Sequence, residues 1–135
     1  RYITKKVVLA EGSESGDLRV YYAAYRPQGS SVLVYYKVMN RNDTANFEDV
    51  DWKLMTPINN STKYSTSRDQ VIDYEAAPGS SGNPDNSVTY TSADGTVFSN
   101  FNQFAIKIVL ATSDTTKVPF VKDLRVLALP SGAGI

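Results

Sequence analysis

The sequence predicts an all-β fold: a two-sheet antiparallel sandwich, jelly-roll-like, of about eight strands. Three observations predict it. Apolar residues recur with period two along the whole chain, and no stretch carries the 3.6-residue period of an amphipathic helix. The apolar runs are rich in Val, Ile, Tyr and Phe, which suit a pleated surface. The segments between them hold Gly, Pro, Asn, Asp and Ser, the residues of tight turns.

Taken in order, strands are expected over 2–9, 18–26, 31–39, 51–55, 70–76, 87–91, 103–111 and 121–129. Turn chemistry separates them at 11–16, Pro27-Gln28-Gly29, 77–86, Ala93-Asp94-Gly95 and 114–117. The second and third strands permit a sharper expectation. If Pro27-Gln28-Gly29 is a three-residue hairpin loop, Ala24 faces Val32, Tyr22 faces Val34, Val20 faces Tyr36 and Leu18 faces Val38. All eight are apolar or aromatic, so that face should meet the core. The opposite face then carries Tyr21, Tyr25, Leu33 and Tyr35 as one outward apolar stripe. Either a loop of the same domain covers it, or it is a contact surface for a protein or a sugar ring.

The late strands read more simply. Phe104, Ile106, Ile108 and Leu110 alternate with Gln103, Ala105, Lys107 and Val109, and the first set should face the core. In the last strand Leu124, Val126 and Ala128 should point inward, with Asp123 and Arg125 outward. Val121 and Leu127 break that alternation, which predicts a bulge or a partly covered outer face.

The chain has 135 residues, the size of one domain, and 1–135 is read as a single sandwich. It opens on Arg1-Tyr2-Ile3 without an initiator Met, so it is expected to be a fragment or terminal module of a larger protein. It has no cysteine and no histidine. That removes disulfides, thiolate nucleophiles, cysteine-ligated metal sites and the serine–histidine arrangements of hydrolases. Fourteen basic and fourteen acidic residues cancel, so nucleic acid is not an expected partner. No apolar run approaches the roughly 18 residues of a membrane helix, so no membrane partner is expected.

Few residues suggest chemistry. The segment 42–51 holds Asp43, Glu48, Asp49 and Asp51, oxygen ligands of the kind calcium takes, but without EF-hand spacing or its central glycine. It reads as a solvated loop. Asp73 and Glu75 share one face of a strand, as an acid–base pair would, yet residues two apart on any strand do so. They are expected to keep an outer face wet. No catalytic residue, metal site or cofactor is expected, and the chain is read as not an enzyme. Asn42, Asn59 and Asn60 open glycosylation sequons, which occur by chance in a chain rich in Asn, Ser and Thr. The polar stretch 77–84 is expected to be an exposed loop, and the tail 130–135 a linker or simple terminus.

Two parts of the chain carry a resemblance. One is Phe101-Asn102-Gln103-Phe104-Ala105-Ile106-Lys107-Ile108-Val109-Leu110 with Val118-Pro119-Phe120-Val121-Lys122-Asp123-Leu124-Arg125-Val126-Leu127-Ala128-Leu129. The other is Asp17-Leu18-Arg19-Val20-Tyr21-Tyr22-Ala23-Ala24-Tyr25-Arg26-Pro27 leading into Val34-Tyr35-Tyr36-Lys37-Val38. Together they resemble a β-sandwich region of virion structural proteins of tailed bacteriophages, in particular baseplate and tail proteins. The resemblance implies a non-catalytic virion module that holds other virion subunits or copies of itself. The segment 40–100 has no counterpart in it.

A second reading is a carbohydrate-binding module for a host surface glycan. There Trp52 and Tyr64 would join the stripe as sugar-stacking rings. A third, hydrolysis by the Asp73 and Glu75 carboxylates, ranks below both.

Overall fold

The computed structural model describes residues 2–3, 7–9, 14–78, 88–114 and 116–129. Among them eleven strands follow one another: β1 (Tyr2–Ile3), β2 (Val7–Val8), β3 (Asp17–Tyr25), β4 (Ser30–Met39), β5 (Lys53–Leu54), β6 (Thr56–Asn59), β7 (Ile72–Ala77), β8 (Tyr90–Thr91), β9 (Val97–Phe98), β10 (Gln103–Thr112) and β11 (Phe120–Leu129). A single 3-10 turn, Phe47–Asp49, interrupts them. It starts at Asn46, whose side chain accepts the Glu48 N–H as an N-cap.

Two large antiparallel sheets result, beside a two-stranded ribbon, β8-β9. In the first, β10 lies between β4 and the short pieces β1 and β2, and β5 flanks β4. In the second the order is β11-β3-β7-β6. Leu18, Val20, Tyr22 and Ala24 of β3 and Tyr74 and Ala76 of β7 pack against Val34, Tyr36 and Val38 of β4 and Phe104, Ile106 and Ile108 of β10. The molecule is thus an all-β, two-sheet sandwich around one core. Leu18 and Ile106 are fully buried, and each such side chain contributes about 1.5–3 kcal/mol of hydrophobic stabilisation.

The expected hairpin between the second and third strands does not form. β3 pairs with β11 and β7, whereas β4 pairs with β10 and β5, so the two strands sit in opposite sheets. Pro27-Gln28-Gly29 is the arch that carries the chain across. Ser30 N–H donates to Pro27 O (3.1 Å), and Gly29 takes a φ of +90°, which a side chain disfavours. The residues read as inward do face the core, but they meet across the sandwich rather than side by side in one sheet. Alternation fixes which face of a strand is buried, and it is the same for an arch as for a hairpin.

The chain changes sheets again at Met55, which is buried and whose N–H donates to Val34 O (2.7 Å). Before it, β5 ends the first sheet; after it, β6 borders the second. The expected strand 51–55 missed β6. Pro57 and the Asn59-Asn60 turn chemistry hid it, and a proline is tolerated there because β6 is an edge strand. Ala93-Asp94-Gly95 is a turn as expected, and it joins β8 to a second short strand, β9. The bulge expected in the last strand lies between Val121 and Asp123. It lets Val121 join Leu124, Val126 and Ala128 against the core. Most of the expected loop 77–84 and all of the tail 130–135 lie outside the described residues.

Candidate functional site

The arch takes the expected aromatic stripe apart. Tyr21 and Tyr25 lie on the outer face of the second sheet, and Leu33 and Tyr35 on the outer face of the first. Tyr25 is also buried, its ring 5.3 Å from that of Phe120 with the Arg68 guanidinium 5.9 Å away. The single surface built from Tyr21, Tyr25, Leu33 and Tyr35 therefore does not exist. The stripe was assembled by in-plane pairing, and the strands pair elsewhere.

On the first sheet's outer face, the segment 45–52 folds back over the strands. Phe47 packs with Met39 and Ala105, and Ala45, Val50 and Trp52 pack beside them. Lys37 is buried there: its Nζ donates to Phe47 O (3.0 Å) and lies 4.6 Å from the Phe47 ring and 4.9 Å from the Trp52 ring. Lys107 bridges Trp52 and Tyr35, with its Nζ 4.9 Å and 4.8 Å from the two rings. These cation–π contacts satisfy the ammonium groups while their stems stay among apolar atoms. Trp52 thus holds a loop onto the sheet. Tyr64 lies in the connection between β6 and β7, under the Arg26 guanidinium at 4.3 Å. The two rings named for sugar stacking sit apart, each against a cation of its own chain.

Two of the surface clefts are lined by residues singled out above. The larger, about 500 Å³, lies between the segment 43–51 and β8. Asp43, Asp49, Asp51, Lys53 and Tyr90 line it. Tyr90 donates its hydroxyl to Asp43 Oδ2 (2.9 Å) and accepts the buried Asn40 N–H (2.7 Å). Burial pushes the Tyr90 hydroxyl up to about 12, with Asn40 opposing and Asp43 reinforcing the shift. Its ring is buried and packs at 5.5 Å from Phe98, so it ties the loop to β8 rather than offering a face to a ligand. Among the described residues no three acidic side chains come together as a metal site would require.

The smaller cleft, about 240 Å³, lies on the second sheet's outer face and is lined by Tyr21, Ala23, Asp73, Asp123 and Arg125 among others. Two cross-strand rows build it. Arg125, Tyr21 and Glu75 lie side by side on β11, β3 and β7, and the next row is Asp123, Ala23 and Asp73. Glu75 approaches Arg19 (3.9 Å), and burial with the nearby Glu75 carboxylate raises the Tyr21 pKa. Asp73 is exposed. Both carboxylates stay on the outer face, where the sequence reading placed them.

β11 is the last strand of this sheet, with β3 on one side only. It is ten residues long, and among the described residues no chain pairs with its other side. The alternate N–H and C=O groups on that side are open to another strand. Leu124, Val126 and Ala128 face the core yet remain half-buried, and Leu127 is 47% exposed. Among the described residues, none continues the sheet past this edge.

Neither family models, curated proteins nor solved structures yield a match to this chain. Its functional reading rests on its own residues and surface.

Sequence reasoning placed Asp123 and Arg125 outward but assigned them nothing, because the strand could be read without knowing whether it ended a sheet. It also missed the Tyr90–Asp43–Asn40 tie and the burial of Lys37. Those depend on chain segments far apart in sequence, and no spacing announces them.

Proposed function

We propose that this chain is a non-catalytic assembly module, a β-sandwich that binds other protein subunits, of the kind found in tail or baseplate proteins of bacteriophage virions. The observation that carries the assembly reading is the edge of β11, a ten-residue strand with one side unpaired among the described residues, a half-buried inner row and an exposed Leu127. An added strand supplies main-chain hydrogen bonds along such an edge and covers its apolar residues. The virion assignment is drawn from the resemblance of 17–27, 34–38, 101–110 and 118–129. The absence of histidine and cysteine from the chain supports the non-catalytic part.

Lys122 gives a direct test, because it is exposed on β11 itself. An amine-reactive cross-linker applied to the protein in its native extract should join Lys122 to another polypeptide, either a different subunit or a second copy. Cross-links from Lys122 confined to its own chain would overturn the assembly reading. A glycan array would then distinguish the carbohydrate-binding alternative, for which the larger cleft beside Asp43 and Tyr90 is the place to look.

A further inference from the structure

We propose that the partner on the β11 edge is a second copy of this chain, paired antiparallel through a two-fold axis at Leu124. The inference deepens the assembly reading and rests on it. Its starting point is a pair of opposite charges. Asp123 and Arg125 are both exposed, both point outward from an edge strand, and neither forms an ion pair or side-chain hydrogen bond with another described residue. Two residues apart on one strand, they flank Leu124, which points inward.

Antiparallel pairing of two identical strands is self-complementary, and closing a two-fold dimer uses up both open edges. The pleat then restricts the register, because opposed residues must share a face. Centring the axis on Asp123 or on Arg125 sets like charges directly against each other, which destabilises a sheet. Centring it on Leu124 sets Asp123 of each copy opposite Arg125 of the other. The outer rows then continue across the joint as Glu75, Tyr21 and Arg125 of one copy followed by Asp123, Ala23 and Asp73 of the next. On the inner face the two Leu124 side chains meet and cover the half-buried row.

Centring on Val126 gives a longer regular overlap, over 123–129, but leaves Arg125 opposite Leu127 and both charges unpaired. The Leu124 register is shorter, because the bulge at Lys122 bends the strand and shifts which residues face outward. Ladder pairing therefore runs from Lys122 to Val126, and the contact belongs to the small, reversible class. The same bulge and the Lys122 ammonium keep the edge from accepting a longer flat strand, a usual guard against open-ended stacking.

Charge reversal tests the register. Sedimentation velocity over a concentration series should show reversible dimers for the wild type. Asp123→Arg and Arg125→Asp should each weaken self-association at least tenfold, since each sets like charges opposite. A mixture of these two variants should restore the dimer, and so should the double variant Asp123→Arg/Arg125→Asp, because both arrangements put opposite signs together again. Because the chain has no cysteine, Leu124→Cys should form a disulfide-linked dimer under mild oxidation, and Val126→Cys should not. Circular dichroism checks that each variant keeps its sheets.

Undiminished dimers of both single variants, or cross-linking at Cys-substituted Val126 in place of Leu124, would overturn this register. A monomeric wild type with no Leu124→Cys dimer overturns self-pairing altogether. In that case, Lys122 cross-links to a different polypeptide leave the assembly reading standing, and their absence removes it too.

Discussion

Single residues decide how tightly this sandwich is tied at its open end. Tyr90 is the plainest case, since one hydroxyl serves the buried Asn40 N–H and the Asp43 carboxylate together. Tyr90→Phe keeps the ring and removes both bonds. It should cost about 1–3 kcal/mol at neutral pH, because the Asn40 N–H is left without an acceptor. Urea denaturation measures this directly. The same tyrosine, with Tyr22, sets a response to alkali. Burial pushes both hydroxyls from 10.0 up to about 12 in the folded chain. Below pH 10.0 both are neutral, folded or unfolded, and contribute their full stabilisation. Above it the unfolded chain releases protons that the folded chain still holds, so stability falls as pH rises through about 12. Tyr90→Phe should make that fall shallower, as one of the groups whose pKa folding raises is gone. An unchanged slope would show that Tyr90 does not titrate with folding.

At the scale of elements, the arch matters more than any strand. Pro27-Gln28-Gly29 sends β4 to the sheet opposite β3, and the arch is anchored twice. Ser65 N–H donates to Arg26 O (2.7 Å), and Ser113 N–H donates to Gly29 O (3.1 Å). Gly29 carries a φ of +90°, and a Cβ there would lie 3.0 Å from Ser113 Oγ. The Ser113 hydroxyl can rotate away, but the backbone strain stays. Gly29→Ala should therefore destabilise the fold by more than about 1 kcal/mol. The readout is a lower urea midpoint with an unchanged slope. A neutral result would mean that the arch adopts a different turn. The element on which interaction is proposed is β11, where a bulge and a side unpaired among the described residues coexist. Its role depends on position in the sheet: the same ten residues in a central strand would have no free groups to offer.

Both sheets share one core, so the molecule should unfold as one unit. Ile106, fully buried on β10, packs in the same cluster as Leu18 and Val20 of β3. Ile106→Ala should cost about 2–5 kcal/mol, a transfer term plus the cavity left behind. It should also leave a single transition. Trp52 fluorescence reports the loop outside the first sheet and circular dichroism reports both sheets, so the two curves should coincide. Separate transitions would show that the sheets unfold independently. The molecule presents two unlike outer faces. One is capped by its own loop over Lys37 and Lys107. The other carries exposed Asp73, Asp123 and Arg125 around buried Arg19, Ala23 and Tyr25, and it borders the β11 edge on which a partner is proposed.

The sequence by itself determined the all-β class, the inward set of nearly every long strand, the turn at Ala93-Asp94-Gly95 and the bulge near Val121. Each follows from local geometry: side chains alternate every two residues, and glycine or an extra residue marks where that alternation breaks. Only the tertiary structure decided which strand lies beside which, and so which outward residues share a surface. Tyr21 and Tyr35 look like neighbours on a hairpin and are separated by the thickness of the sandwich, because alternation is blind to pairing. Neighbours are chosen by competition among all the strands: β10 takes β4, β11 and β7 take β3, and no described strand takes the other side of β11.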